Sequence, residues 1–246
     1  MHRTDIRTSA RTRRYMGASG VSRQLAACLV VALLSISLAG CSTTDQSAQA
    51  AGIKRLQARA AYDRALEHVK DREASPALTS VQEAIALDNS VPVYWNTLGW
   101  IYLQLGRPDI AFTPFNKALQ LDPTFGLAQE NVGVALSELG RWDEAVAAYR
   151  KAILMGTVPT PETAYQNMGM ALLNLKRYRE AEEALRFAIS LNPKQEAPYY
   201  HLGLLFTAQD RRDEAKAAFR RVRDLSPQSP FGQAAAERLR ALGDGG

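Results

Sequence analysis

Sliding the sequence along itself by 34 residues brings like residues onto like. A glycine or alanine recurs at Ala65, Gly99, Gly133, Gly169 and Gly203. A second small residue recurs at Ala77, Ala111, Ala145, Ala181 and Ala215, with spacings of 34, 34, 36 and 34. A third falls at Ala84, Ala118, Ala152 and Ala188, and Val222 closes that series. Large apolar residues keep fixed offsets from these. Leu98, Val132, Met168 and Leu202 directly precede the glycine, and Tyr102, Leu136, Leu172 and Phe206 follow it by three. Phe115, Tyr149, Leu185 and Phe219 stand just ahead of the third small residue. A period of this length marks one supersecondary unit stacked on copies of itself.

Within each unit the apolar residues fall at i, i+3, i+4 and i+7, which gives two amphipathic helices. The small residues belong where the helices cross, because only Gly or Ala lets two backbones approach closely. One helix pair cannot bury its apolar stripe alone, so neighbouring pairs must share a continuous core. The expected fold is therefore all-α, with about five helix pairs over 58–91, 92–125, 126–159, 162–195 and 196–229. The amphipathic segment 230–242 is expected to cap the stack, and the whole domain to run from 57 to 242. Leu-Asp-Pro at 121–123, Leu-Asn-Pro at 191–193 and Leu-Ser-Pro at 225–227 are expected to end second helices.

Two irregularities interrupt the pattern. The link between the third and fourth units is two residues longer, and its simplest reading is a neutral surface insertion; Thr160 is placed to cap the following helix, with Pro161 at its first position. Pro114 falls inside a second helix where the other units carry Ser80, Ala148, Ala184 and Ala218. An interior proline costs ~3 kcal/mol, so a kink or a late helix start is expected there.

The pattern resembles the tetratricopeptide repeat. Residues 92–125 carry its signature as Trp95, Leu98, Gly99, Tyr102, Ala111, Phe115, Ala118 and Pro123. The units starting at 126, 162 and 196 carry most of it. The first copy is degenerate, with Ala61 and Asn89 in place of the Trp and Pro. The resemblance implies a right-handed superhelix of helix pairs whose concave face binds another protein.

The N-terminus reads differently. Residues 25–38 form an apolar run without charge, preceded by basic residues; it is too short for a span of about 20 residues and suits the core of a secretory signal. Leu38-Ala39-Gly40-Cys41 follows and resembles the bacterial lipoprotein box. That resemblance implies a signal peptide over 1–40, acylation of Cys41 and an anchor in the bilayer. Ser42 after the cysteine implies sorting to the outer membrane of a Gram-negative bacterium, facing the periplasm. An uncleaved helical anchor is the alternative, and Met16 is a second candidate start. Residues 41–56 are read as the lipidated cysteine and a flexible tether.

The formal net charge of +5 is confined to the leader, which holds six arginines (Arg3, Arg7, Arg11, Arg13, Arg14 and Arg23) and one acid, Asp5. The remaining 24 basic and 24 acidic residues cancel, so the body has no field to steer a polyanion, and no nucleic-acid partner is expected. Chemistry is equally sparse. His68 and His201 lie in different units without a partner at metal-ligand spacing, Cys28 lies in the leader, and no glycine-rich phosphate loop follows a strand. The acid pairs Asp143-Glu144, Glu182-Glu183 and Asp213-Glu214 sit where second helices begin and suit the positive helix end. No catalytic residue, metal, cofactor or small-molecule substrate is expected, and the chain is not read as an enzyme.

The concave surface remains. In repeats of this kind, positions 2, 5, 9, 12 and 13 of the first helix face the groove. These are Val93, Asn96, Trp100, Leu103 and Gln104, then Leu127, Glu130, Val134, Ser137 and Glu138. The fourth unit gives Thr163, Gln166, Met170, Leu173 and Asn174, and the fifth Ala197, Tyr200, Leu204, Thr207 and Ala208. The lining is apolar and amide-rich and lacks the cations of repeats that clamp a C-terminal carboxylate. An amphipathic partner segment is the expected occupant, with Trp100 as anchor; inter-repeat packing is the alternative for Trp100 and Tyr200. A short lipoprotein built almost wholly of these repeats resembles the type IV pilus biogenesis and stability proteins, the pilotins. That resemblance implies a secretin subunit as partner and a role in secretin assembly at the outer membrane. The alternative is an adaptor for cell-wall or outer-membrane assembly enzymes.

Overall fold

The computed structural model describes residues 19–243, with side chains from residue 45 onward. Among the described residues there are eleven helices and no strand. Two compact units are distinguished, one ending at Ile53 and one running Lys54–Gly246. The helices are α1 (Ser19–Lys70), α2 (Ala74–Leu87), α3 (Pro92–Gln104), α4 (Pro108–Leu121), α5 (Gly126–Glu138), α6 (Trp142–Met155), α7 (Pro161–Asn174), α8 (Tyr178–Leu191), α9 (Glu196–Ala208), α10 (Arg212–Leu225) and α11 (Pro230–Ala241).

One turn is written five times. The second residue past the end of each first helix takes a left-handed conformation, at Arg72, Gly106, Gly140, Lys176 and Asp210, with φ between 56 and 72°. At each, two amide bonds close the helix in the Schellman pattern. Gly106 N donates to the Leu103 carbonyl and Arg107 N to that of Tyr102, both at 2.9 Å, and the pair recurs at 140–141, 176–177 and 210–211. Glycine takes that conformation without penalty at 106 and 140; Arg72, Lys176 and Asp210 take it at some cost. The next residue caps the second helix, which starts one position later. The expected stops hold as well: α4, α8 and α10 end at Leu121, Leu191 and Leu225.

Helices α3, α5, α7 and α9 each pack most closely on the second helix of their own pair and next on the second helix before it. First helices also touch one another (α3 with α5, α5 with α7, α7 with α9), whereas consecutive second helices make no comparable contact. The first helices are therefore crowded on the inner side of a curved stack. Between the layers, Phe115, Tyr149, Leu185 and Phe219 are buried against the glycine of their own pair. A Cβ on Gly99 would approach Phe115 to 2.5 Å, and Gly133, Gly169 and Gly203 would meet Tyr149, Leu185 and Phe219 in the same way. Ala58, Ala61, Tyr62 and Ala65 of α1 pack with Val81, Tyr94, Leu98 and Ile101, so the degenerate first copy is a working helix pair whose first helix is the end of α1.

Four expectations need correction. Helix α4 starts at Pro108 and runs unbroken through Pro114, with no late start. Pro114 shares one buried stripe with Ala111, Phe115 and Ala118, so its ring adds packing where the other pairs use alanine or serine, and this offsets the lost backbone bond. Residues 42–51 are helix within α1 rather than an irregular tether; Gln, Ala and Ser at 46–51 extend a helix at little cost once it is nucleated. Thr160 does precede α7, with Pro161 at the first position, but its side chain makes no capping bond. Nor is the longer link a neutral insertion. Thr157 Oγ1 donates to the Thr124 carbonyl at 2.6 Å and accepts from Gly126 N at 3.1 Å, tying the link to the start of α5. The lipoprotein box fares differently: the Cys41 side chain and residues 1–18 lie outside the described residues. Among those described, no helix is long and apolar enough to cross a membrane.

The acidic second-helix starts are paired rather than merely solvated. The residue before each of α6, α8 and α10 is an arginine that reaches the acid three positions on: Arg141 to Glu144 at 2.6 Å, Arg177 to Glu180 at 2.7 Å, and Arg211 to Glu214. Arg177 also meets Asp143 of the preceding pair at 3.5 Å and Arg211 meets Glu182 at 2.7 Å, so these arginines link neighbouring repeats. The arginines hold Glu144, Glu180 and Glu214 below the usual carboxylate range.

Candidate functional site

The crowding of first helices on the inner curve opens one large cleft of about 710 Å³ between α1, α3, α5, α6 and α7. Five of the groove residues read from the sequence line it: Asn96, Trp100, Leu127, Val134 and Met170. Four more groove positions join them, Glu130, Ser137, Glu138 and Thr163. Trp100 keeps 37% of its surface exposed and stands at the rim, so inter-repeat packing does not consume it.

The other positions fall elsewhere. Leu103 is 6% exposed and belongs to the core beside Phe115 and Leu136, because α5 covers this face of α3. Val93 packs on the N-terminal core cluster and Leu173 on the larger one. Gln166 is engaged, its Oε1 accepting from Gln195 Nε2 at 2.8 Å. Tyr200 lies 5.6 Å from Phe219 and 5.3 Å from Phe231 of α11, and Leu204 packs on the same core. The inner face of the fifth pair is thus closed by the capping helix. His201 is buried there too, and burial pushes its imidazole down to about 4, so it stays neutral and plays the part of a packed aromatic.

Several lining residues were not readable from the repeat positions. Leu66 and Val69 come from the end of α1, Trp142 and Tyr149 from α6, and Thr160 from the longer link. Thr97, Asn131 and Asn167 come from first helices, one position after an inward-facing residue. Thr97, Asn131 and Asn167 share one repeat position, spaced by 34 and 36 residues. Asn96 and Asn131 are 35 residues apart, and Asn131 Nδ2 donates to Asn96 Oδ1 at 2.9 Å across two repeats.

The floor is polar and the walls are apolar. Asn96, Asn131, Glu130 and Asn167 lie between Leu66, Val69, Trp100, Leu127, Val134 and Met170. Ser137 Oγ and the Tyr149 hydroxyl share a hydrogen bond of 3.1 Å at one edge. Glu130 is the unusual member. It is 4% exposed, and its Oε2 has no hydrogen-bond partner. Burial first, and then the nearby Glu162 charge, push its carboxyl up to about 7, while a hydrogen bond with Asn167 works the other way. No lysine, arginine or histidine lines the cleft. Among the described residues no group of three or more His, Cys, Asp or Glu could hold a metal ion. The arrangement can bind an apolar segment, with the carboxylates of Glu130 and Glu138 beside it.

Comparison with known proteins agrees with this geometry. Tetratricopeptide repeat models match residues 62–124, 97–162, 163–195 and 199–229, well over half of the chain in all. The chain is 34% identical over 82 residues to the small glutamine-rich tetratricopeptide repeat-containing protein 2 of Mycosarcoma maydis, a match covering 33% of this chain and 23% of that protein. Across three of the curated relatives it matches, the chain spans between 6% and 27% of their length. Its fold is similar to that of PilW, titled a widely conserved type IV pilus biogenesis factor, with a TM-score of 0.70 and 22% identity over 76% of this chain and 87% of PilW. Pseudomonas aeruginosa pilF gives a TM-score of 0.64 and 18% identity over 78% of this chain and 95% of that one. With its five helix pairs, its glycine-seated aromatics and these matched models, the chain belongs to the tetratricopeptide-repeat family.

Proposed function

We propose that this protein is a lipid-anchored scaffold of the outer membrane, facing the periplasm, that holds a segment of a type IV pilus secretin subunit in its inner cleft and assists secretin assembly. The observation that carries the reading is the cleft itself: apolar walls, an amide-lined floor and an exposed Trp100 at the rim. Large aromatics at the edge of an apolar groove concentrate binding energy. The likeness in fold to PilW and pilF supports the choice of client, and the run before Cys41 supports the anchor. The mechanism is steric and thermodynamic. An acyl chain fixes the scaffold at the bilayer at ~0.8 kcal/mol per buried CH₂, and the cleft holds the client there at raised local concentration. No bond is made or broken.

Two measurements test this reading. Full-length protein carrying a photo-crosslinker in place of Leu66, at the cleft wall, should trap a secretin subunit in envelope membranes. Trp100→Ala should weaken that capture about tenfold or more with unchanged helicity. Trapping of cell-wall hydrolases or synthases alone would point to an adaptor, and unchanged capture by the Trp100 variant would place the client elsewhere. Separately, metabolic labelling with a tagged fatty acid should mark the wild-type chain and leave Cys41→Ser unlabelled; equal labelling of both would remove the anchor.

A further inference from the structure

The cleft holds a carboxylate that nothing in the protein explains. Glu130 is almost fully buried among the residues that line the cleft of about 710 Å³, and its Oε2 is unpartnered. A buried carboxylate without a full set of donors is costly, and an incoming donor removes that cost. The surrounding charge has one sign. Glu138 lines the same cleft, the charge of Glu162 in α7 acts on Glu130, and no cationic side chain lines the space. Lys70 and Arg72 border only a neighbouring depression that shares Val69 and Trp100 with the cleft. A segment bearing a carboxylate would meet repulsion here, and a wholly apolar one would leave Glu130 uncompensated.

We propose that the cleft selects a polypeptide segment in which a lysine or arginine stands among apolar residues, the cation pairing with Glu130 while its neighbours lie on Trp100, Val134 and Met170. This rests on the reading of the cleft as a partner-binding site, and it specifies the partner's chemistry independently of which protein supplies it. A lysine stem is long and apolar, so it can cross the apolar wall and place its charge at the floor.

A phage-displayed library of random peptides, panned against the full-length protein, tests the proposal. Recovered sequences should be enriched in Lys or Arg flanked by apolar residues. The same panning on Glu130→Gln should keep the apolar pattern and lose the basic excess. For one recovered peptide, replacing its lysine with norleucine should weaken binding to the wild type about tenfold and to Glu130→Gln less than twofold. Recovered peptides without a basic excess, an equal excess on the Gln variant, or no recovery at all would each overturn the inference. The client assignment fails separately: a basic excess that depends on Glu130, together with no trapped secretin, would refute the pilus client and leave this inference standing.

Discussion

Phe115→Ala is expected to destabilise the protein by about 3–5 kcal/mol, a large share of the stability of any single domain. Phe115 is fully buried and sits over Gly99, where even a methyl group would come within 2.5 Å of the ring. The ring belongs to the core that joins the second pair to Val132, Ala135 and Leu136 of the third. Its removal opens a cavity between α3, α4 and α5 that rigid helix backbones cannot close. Urea unfolding followed by circular dichroism measures the loss. Because each repeat contacts only its neighbours, the damage should concentrate in the second and third pairs and broaden the transition. Leu185→Ala, at the corresponding position over Gly169, removes a smaller side chain and should cost less, about 2–5 kcal/mol. A loss below about 1 kcal/mol for Phe115→Ala would mean that the repeat junction is not close-packed.

Glu130→Gln is expected to stabilise the protein, and to do so only at neutral and alkaline pH. In the unfolded chain this carboxyl loses its proton near the ordinary value of 4.5; in the folded protein it keeps the proton up to about 7. The folded state therefore binds more protons between these values, and wild-type stability falls as pH rises from about 4.5 to about 7, then levels off. The span corresponds to on the order of 3 kcal/mol. Glutamine keeps the shape without the charge, so the variant should match the wild type near pH 4.5 and exceed it at pH 8. Equal stability of both proteins at pH 8 would show that Glu130 pays no burial cost. A residue that weakens the fold at the floor of a cleft is the kind retained for binding rather than for stability.

The architecture was legible in the sequence because it is set by short-range spacing. The helix pairs, the Leu-x-Pro stops and the small residues at 34-residue intervals all follow from which residues share a helix face. The small residues were expected where helices cross; that Phe115, Tyr149, Leu185 and Phe219 each pack on the glycine of their own pair came from the structure. Pro114 misled because the cost of proline is a local rule, whereas the ring's burial in the stripe of α4 is a tertiary gain. The longer link misled for a related reason: the bonds of Thr157 run to residues 31 and 33 positions away.

The candidate site was only half legible. Repeat positions pointed to the inner face, and Asn96, Trp100, Leu127, Val134 and Met170 do meet there. They could not distinguish an inward-facing residue from an open one. Leu103 is covered by α5 and Tyr200 by Phe231 of the capping helix, and neither cover lies within the repeat that it closes. Periodicity by itself thus determined the class of fold and the number of helix pairs, because those depend on contacts within a repeat, and the resemblance to the tetratricopeptide repeat pointed to the inward face. Where along that face a cleft stays open, and that the buried Glu130 lines it, was decided only by tertiary structure, because exposure depends on what distant segments leave uncovered.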